Sequence, residues 1–255
     1  MNQDRALRDR RIAWEEAGRR NPLYYIATER TEWEIADFFA SGENLLQERV
    51  DPWLRKMGRD PTKTTALEIG AGVGRLSRGL SNRFAQVIAV DISPSMVAAG
   101  HKLNADRPNL RFVVTAGNDL PGLLPESCDF VLCVWVFQHI PNLKTIEDYI
   151  AEIARVLSPN GSFLVQIQGS RLPWPYADVR NFLVRTGIWT KVLGLFNVDT
   201  TLAQAFPGAL LGLRKLSQIL QVHHLRIVET VRDENANGSV WVYGTGLGGP
   251  MGPPS

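Results

Sequence analysis

The sequence predicts an α/β fold built on a doubly wound, mostly parallel sheet. Three observations predict it: a glycine-rich turn directly after a short apolar run at 66–69, a second buried strand ending in Asp91, and short apolar runs that alternate with helical segments as far as residue 168. Strands alternating with helices are typical of parallel sheets, which bind ligands outside the carboxyl ends of their strands. We therefore expect a ligand site at the glycine-rich turn.

The turn carries glycines at positions 70, 72 and 74. Glycine is needed where the backbone adopts positive φ or where a ligand approaches the main chain closely. The amphipathic segment 75–83 predicts a helix whose first N–H groups face the bound molecule. The second strand, 87–91, ends in an acid placed to accept hydrogen bonds from ribose hydroxyls. A ligand containing a nucleoside is therefore predicted.

Two kinds of nucleotide-like ligand fit this unit. The NAD fingerprint G-x-G-x-x-G requires a glycine where this chain has Arg75. Glu68 precedes the glycines, and its charge would repel a pyrophosphate. An acid at this place suits a ligand with a cationic amino-acid end instead.

The segment Leu67-Glu-Ile-Gly-Ala-Gly-Val-Gly-Arg-Leu-Ser77 resembles motif I of the class I S-adenosylmethionine (SAM)-dependent methyltransferases, an acid followed by x-G-x-G-x-G. Further segments resemble that family in the same order, at 91–96, 110–114, 116–121, 129–134, 137–141 and 162–168. The resemblance covers about residues 60 to 170. It implies a Rossmann-like doubly wound seven-stranded sheet with the last strand antiparallel, and S-adenosyl-L-methionine as the cofactor.

The resemblance also implies roles for individual positions. The cofactor's methionine end and middle would lie against Glu68, Gly70, Ala71, Gly72 and Gly74, its ribose on Asp91, and its adenine against Ile92, Ala116, Gly117, Asn118 and the backbone of Cys133. The family often has an acid where this chain has Ala116. Alanine cannot accept a hydrogen bond from the adenine amino group, so Asn118 or Asp119 is the alternative acceptor.

His139 is the candidate general base because it follows the fourth strand, near the expected methyl position, and histidine ordinarily titrates near neutrality. The alternative is a packed, hydrogen-bonded histidine. We expect no metal, since no His, Cys or Asp cluster has ligand spacing. The chain lacks the (Asp/Asn)-Pro-Pro-(Tyr/Phe) motif and any Pro-Cys pair that would indicate a base-methylating enzyme.

The sequence therefore predicts an enzyme that methylates an oxygen or nitrogen atom of a small-molecule acceptor. Two alternatives remain open. One is a SAM-binding protein of the same fold that transfers nothing. The other is an NAD(P)-dependent oxidoreductase, which Arg75 and the lack of a Tyr-x-x-x-Lys pair disfavour.

Composition agrees with a globular enzyme. The 255 residues are 44% hydrophobic and 21% charged, and the net charge of +2 does not indicate a nucleic-acid partner. No stretch approaches the roughly 20 apolar residues that span a bilayer. The two cysteines, Cys128 and Cys133, lie too close in an extended segment to form a bridge, which favours a reducing, cytoplasmic setting. The oligomeric state stays open.

The domain organisation has four predicted parts: an N-terminal helical arm or cap at 1–58, a SAM-binding methyltransferase domain at 59–245, an insertion within it at about 169–208, and a disordered tail at 246–255. The arm is rich in aromatic residues, which either pack onto the sheet or form a lid over the ligand. The insertion is also aromatic-rich and is expected to cover the substrate, which favours an apolar or ring-bearing acceptor. Core packing is the alternative for its aromatic residues.

Overall fold

The computed structural model describes residues 3–140, 142–168, 211–233 and 238–247. The predicted substrate cover at 169–208 lies outside the described residues, as do residues 248–255 of the predicted tail. The described helices are α1 (Gln3–Arg20), α2 (Pro22–Ile26), α3 (Ile35–Arg49), α4 (Asp51–Met57), α5 (Ser77–Ser81), α6 (Pro94–Leu103), α7 (Leu143–Val156) and α8 (Leu213–Val222). The strands are β1 (Thr65–Ile69), β2 (Gln86–Asp91), β3 (Leu110–Val114), β4 (Cys128–Cys133), β5 (Leu157–Gln168), β6 (Leu225–Arg232) and β7 (Ser239–Gly246).

The seven strands form one sheet in the order β3-β2-β1-β4-β5-β7-β6. Strands β1 to β5 pair in parallel, and β7 runs antiparallel to both of its neighbours. The predicted Rossmann-like doubly wound sheet is confirmed. Its strand order reverses direction between β1 and β4, and a crevice opens outside the carboxyl ends of the strands at such a point. The glycine-rich turn follows β1 directly and therefore lies at this crevice.

Alternate residues of the strands point to opposite faces of the sheet, and each face is covered by helices. One face packs against α7 and α8, with Ile146, Ile150 and Leu216 fully buried there. The other packs against α3 to α6, with Leu46 and Leu80 fully buried. Burial on both faces explains why β1 and β4 are nearly continuous apolar runs.

The arm consists of α1 to α4 and is held to the sheet at two places. A small cluster that includes Ala17, Tyr25 and Phe38 packs α1, α2 and α3 against Val73 and Met96. Contacts of α3 and α4 with the far strands form the second place. There the Trp53 indole donates to Ser162 Oγ at 3.1 Å, the Tyr243 hydroxyl donates to the Arg49 carbonyl at 3.2 Å, and Lys56 Nζ lies 2.7 Å from Glu229 Oε2.

Two local elements differ from the sequence prediction. The helix expected at 75–83 is confined to Ser77–Ser81, because residues 71–76 are taken up by the turn itself. Strand β5 begins at Leu157, ahead of the segment 162–168, and contains an irregularity where Cys128 pairs with Leu157 but Phe130 pairs with Ser162. No helix in the described ranges is both long enough and apolar enough to cross a bilayer.

Candidate functional site

A cavity of about 300 Å³ lies at the carboxyl ends of β1, β2 and β4. Its floor is the glycine-rich turn, and one wall is α1. Ligand pockets typically have volumes of this order or larger. Its wall includes Leu7, Arg10, Trp14, Glu68, Gly70, Ala71, Gly72, Arg75, Asp91, Ile92, Thr115, Gly117, Trp135, Gln138, His139 and Tyr149.

The glycine turn takes its shape from positive φ angles of 72°, 57° and 87° at Gly70, Gly72 and Gly74. The first two glycines line the cavity, and the third does not. A Cβ on Gly74 would come within 2.7 Å of the Phe112 ring, so this glycine allows the turn to pack against β3. A Cβ on Gly70 would lie 2.3 Å from Val136 Cγ2, and one on Gly72 would lie 2.3 Å from Ile26 Cδ1. The requirement for glycine thus has two causes at all three positions: positive φ and close packing of neighbouring side chains.

Asp91 joins the end of β2 to the glycine turn. Its Oδ2 accepts a hydrogen bond from the Gly72 N–H at 2.8 Å, and its Oδ1 accepts one from the Ser93 N–H at 2.9 Å. Burial raises the pKa of Asp91, and the two N–H donors oppose that rise. Because each carboxylate oxygen has two acceptor positions, Asp91 can hold the turn and still receive hydroxyl groups from the cavity.

Glu68 is buried beneath the turn, with only 4% of its surface exposed. The Ser77 hydroxyl at the start of α5 donates a short hydrogen bond to Glu68 Oε2. Burial raises the pKa of Glu68 to about 8, although Ser77 and the nearby Arg75 favour the charged form. An additional cation in the cavity would restore the charged form, since an opposite charge nearby stabilises a buried carboxylate.

Arg75 places a buried guanidinium in the same wall. It stacks over the Trp135 ring at 4.8 Å, and its Nη1 donates to Ser41 Oγ of α3 at 3.2 Å. Its Nε is buried and has no acceptor among the described residues. Trp135 itself adopts φ 57°, a strained conformation for a bulky residue, at a point just beyond β4. The Glu68 carboxyl and the Arg75 guanidinium therefore line the same cavity.

The other end is formed by the loop after β3. Gly117 and Ile92 approach each other so closely that a Cβ on Gly117 would lie 2.6 Å from Ile92 Cδ1, and the same Cβ would lie 3.5 Å from Leu7 Cδ2 of α1. Asp119 Oδ1 accepts from the Ala116 N–H at 3.0 Å and from Thr115 Oγ1 at 3.1 Å, so this carboxylate holds the loop from within.

His139 lies in a short 3₁₀ turn beyond β4 and is largely buried. The Trp14 ring of α1 meets its imidazole edge to face, with ring centres 5.4 Å apart. Gln138 Nε2 lies 3.2 Å from His139 Nε2. The imidazole is thus held by polar and aromatic neighbours within the cavity wall, which is compatible with either predicted role.

The structure brings most of the predicted site residues together. Those on the cavity wall are Glu68, Gly70, Ala71, Gly72, Asp91, Ile92, Gly117 and His139, whereas Gly74, Ala116, Asn118 and Cys133 lie off it. Ala116 is exposed and Cys133 is fully buried, and burial raises the pKa of the Cys133 thiol. Sequence reasoning missed Arg10, Arg75, Thr115, Trp135 and Tyr149 as wall residues. The one available signal was Arg75, a charged residue inside a glycine turn.

Comparison with known proteins identifies the domain. The family described as "Methyltransferase domain" matches residues 67–165, which run from β1 into β5 and include the glycine turn, Asp91 and His139. Residues 67–165 are therefore a methyltransferase domain. Enzymes of this class use S-adenosylmethionine, so that is the cofactor of the domain.

Curated relatives of the methyltransferase domain act on both oxygen and nitrogen, according to their names. A ubiquinone biosynthesis O-methyltransferase from Pseudomonas entomophila is 26% identical over 66% of this chain and 78% of its own length. Phosphoethanolamine N-methyltransferase 3 from Arabidopsis thaliana is 34% identical over 33% of this chain and 17% of its own length. A demethylmenaquinone methyltransferase from Tropheryma whipplei is 32% identical over 39% of each chain. The chain thus spans well under half the length of these last two relatives.

Solved structures share the architecture. Magnesium protoporphyrin IX methyltransferase from Synechocystis, crystallised with bound S-adenosylhomocysteine (SAH), aligns with a TM-score of 0.60 at 19% identity, over 92% of this chain and 96% of its own. A protein from Pyrococcus horikoshii aligns with a TM-score of 0.59 over 91% of this chain and 98% of its own. At such identities the alignments show the fold of the methyltransferase domain. Across the described ranges, no group of three or more His, Cys, Asp or Glu is arranged to hold a metal ion.

Proposed function

We propose that this chain transfers the methyl group of S-adenosylmethionine to an oxygen or nitrogen atom of a small-molecule acceptor. The observation that carries the proposal is that the Glu68 carboxyl and the Arg75 guanidinium line the same cavity. Burial has raised the pKa of Glu68, and the buried Nε of Arg75 lacks an acceptor among the described residues. A zwitterionic amino-acid end would satisfy both groups, its ammonium on Glu68 and its carboxylate on Arg75.

The remaining wall fits the nucleoside part of the same cofactor. Asp91 has acceptor positions left for ribose hydroxyls, and the apolar Ile92 and Leu7 suit an adenine ring together with Gly117, which lines the same cavity. A pyrophosphate would fit poorly, because Glu68 lies directly beneath the turn. This geometry supports SAM over a nicotinamide dinucleotide.

The sulfonium of the cofactor supplies an already activated methyl group, so the chain's own task is mainly to bind and orient the two reactants. For a hydroxyl acceptor, His139 would take the proton of that hydroxyl, while Trp14 and Gln138 hold its ring in place. The names of the relatives support both oxygen and nitrogen acceptors of low molecular mass.

Calorimetric titration with SAM, SAH and NADH in parallel tests the cofactor. We expect micromolar binding of SAM and SAH and none of NADH. Binding of NADH alone would refute the proposal and favour an oxidoreductase. Transfer of a radiolabelled methyl group to a panel of small hydroxy and amino compounds then tests the activity. A protein that binds SAM tightly and labels none of a broad panel would instead be a binding module of the same fold.

A further inference from the structure

Helix α1 forms one wall of the cavity rather than packing only against the sheet. Leu7, Arg10 and Trp14 are spaced by three and four residues, so they share one helical face, and all three line the cavity. Leu7 lies over the end formed by Ile92 and Gly117, and Trp14 lies against His139. The same helix therefore covers the predicted adenine position and reaches the candidate base.

A neighbouring side of α1 is fastened to the start of α6 by the Glu15 carboxylate. Glu15 Oε2 accepts from Ser93 Oγ at 2.8 Å and from the Ser95 N–H at 2.9 Å, and Glu15 Oε1 accepts from Ser95 Oγ at 2.6 Å. Burial would raise the pKa of Glu15, but the hydrogen bonds from Ser95 and Ser93, together with Arg19, lower it to about 2. Glu15 is thus a fully charged acceptor at neutral pH.

The fastening point is directly connected to the cofactor site. Ser93 donates its hydroxyl proton to Glu15 and its N–H to Asp91 Oδ1, so one residue links the helix to the predicted ribose acceptor. Small residues allow the close approach: a Cβ on Gly18 would lie 3.1 Å from Ser93 Oγ, and Ala17 is fully buried.

We infer that α1 is a lid over the cofactor and that Glu15 is the positioning residue that latches it to α6. The inference rests on the proposed function, because it takes the cavity to be the cofactor site. Movement of α1 away from the glycine turn would widen the opening to the cavity, and the moving helix must first release the bonds of Glu15. Weakening the latch therefore accelerates both entry and departure of the cofactor.

The test measures both rate constants for SAH by surface plasmon resonance on the full chain. The variants are Glu15→Ala, Ser95→Ala and the control Glu16→Ala, which removes an exposed carboxylate from the neighbouring position of the same helix. We expect the association and dissociation rate constants to rise at least fivefold together in Glu15→Ala, by less in Ser95→Ala, and to change less than twofold in Glu16→Ala. Trypsin should also cut α1 faster in Glu15→Ala with SAH bound, at the exposed Arg8 and Arg11.

Each outcome separates the lid from the proposed function. If the wild type does not bind SAH, the proposed function fails and the lid with it. If the wild type binds but Glu15→Ala and Glu16→Ala show equal rates, the latch is refuted and the function stands. A rise in the dissociation rate alone would also refute the lid, because it would show that Glu15 acts only by holding Asp91. Ser95→Ala weakens the same contact without changing the sequence of α1, because Ser95 lies in α6. Faster rates in this variant therefore cannot be caused by a substitution that destabilises α1 itself.

Discussion

Glu68 is a carboxyl group held where water does not reach it. Its pKa rises from 4.5 to about 8 in the folded protein, so between these pH values the folded state binds more protons than the unfolded state. Stability must then fall as pH rises through this range. Glu68→Gln keeps an acceptor for Ser77 and removes the titration. We expect the cofactor-free variant to be more stable than the wild type at pH 8.5, by about 1–3 kcal/mol, and nearly equal at pH 5.

Thermal unfolding of both proteins at pH 5, 7 and 8.5 measures the effect. The matched control is Glu16→Gln, which changes an exposed carboxylate and should leave the pH dependence as it is in the wild type. If Glu68→Gln and the wild type have equal stabilities at all three pH values, the pKa of Glu68 is not raised in the folded protein.

Asp91 has two tasks, because it fixes the turn and faces the cavity. Asp91→Ala should weaken SAM binding by roughly 1.5–3 kcal/mol, the scale of charge-assisted hydrogen bonds. That corresponds to a dissociation constant roughly tenfold to 150-fold higher. Calorimetry on the folded variant measures it. Asp91→Asn, which retains one oxygen acceptor, should lose less, and unchanged affinity in both variants would remove Asp91 from the site.

His139 can be tested as a base once a hydroxyl acceptor is known. His139→Asn keeps a polar side chain of similar size and removes the base, so kcat should fall roughly 10²- to 10⁴-fold with little change in SAM affinity. His101→Asn is the control, because His101 is exposed on α6. A fall in kcat of less than tenfold would show that His139 is not the general base and that it only packs against Trp14.

At the scale of secondary-structure elements, α3 sets the position of Arg75. Gly42 of α3 lies against the backbone carbonyl of Arg75, and a Cβ there would clash with it. Gly42→Ala must push α3 and the glycine turn apart. We expect a loss of stability of about 1–3 kcal/mol and weaker SAM binding. Thermal unfolding and calorimetry measure both, and Ala40→Ser on the exposed side of α3 is the control. Unchanged binding would show that Arg75 keeps its place without α3.

The contact between α3 and Arg75 also shows what could be predicted from sequence. The glycine turn and Asp91 were predictable because their chemistry is local: a few neighbouring residues specify turn, strand end and helix start. The buried strands from β1 to β5 were predictable for the same reason. The position of Arg75 depends on Ser41, which is distant in sequence, and on Trp135 beyond β4. No local sequence pattern predicts these contacts of Arg75.

The same distinction applies to α1. Its aromatic residues were compatible with packing or with a lid, because periodicity gives a helix face and not the partner of that face. The choice depends on Glu15 meeting Ser93 and Ser95, which are about eighty residues further along the chain. The C-terminal end of α1 is a second feature that the local sequence does not fix. The helix continues through Gly18 to Arg20, because a glycine near the end of a helix weakens it without ending it.

At the scale of the whole molecule, Arg83 ties the arm to the segment between α5 and β2. Its guanidinium bonds Glu43 of α3 at 2.7 Å and Asp51 of α4 at 2.6 Å, and its side chain is 13% exposed. Arg83→Met would leave two partly buried carboxylates without their partner. We expect a loss of roughly 1–3 kcal/mol in unfolding free energy at pH 7, below the range for fully buried pairs because the acids are partly solvated.

The pH dependence of that loss has a defined sign. The hydrogen bonds from Arg83 lower the pKa of Glu43, so its contribution is present above its ordinary pKa of 4.5 and disappears as pH falls through the lowered value. Denaturant unfolding of the wild type and Arg83→Met at pH 7 and pH 3 measures the difference, which should shrink in acid. Arg30→Met, which breaks an exposed ion pair with Asp37, is the control. Equal stabilities at pH 7 would show that the network contributes nothing.

The bonds of α3 and α4 to the far strands have a consequence for how the chain acquires its shape. Trp53, Lys56 and Arg49 are bonded to residues that lie 109, 173 and 194 positions later. The bond from Tyr243 can form only after β7 has paired with β5. During synthesis, α3 and α4 therefore complete their contacts with the far strands only when almost the entire chain has left the ribosome. The contacts of the arm with Val73 and Met96 can form much earlier, so the arm docks in two stages.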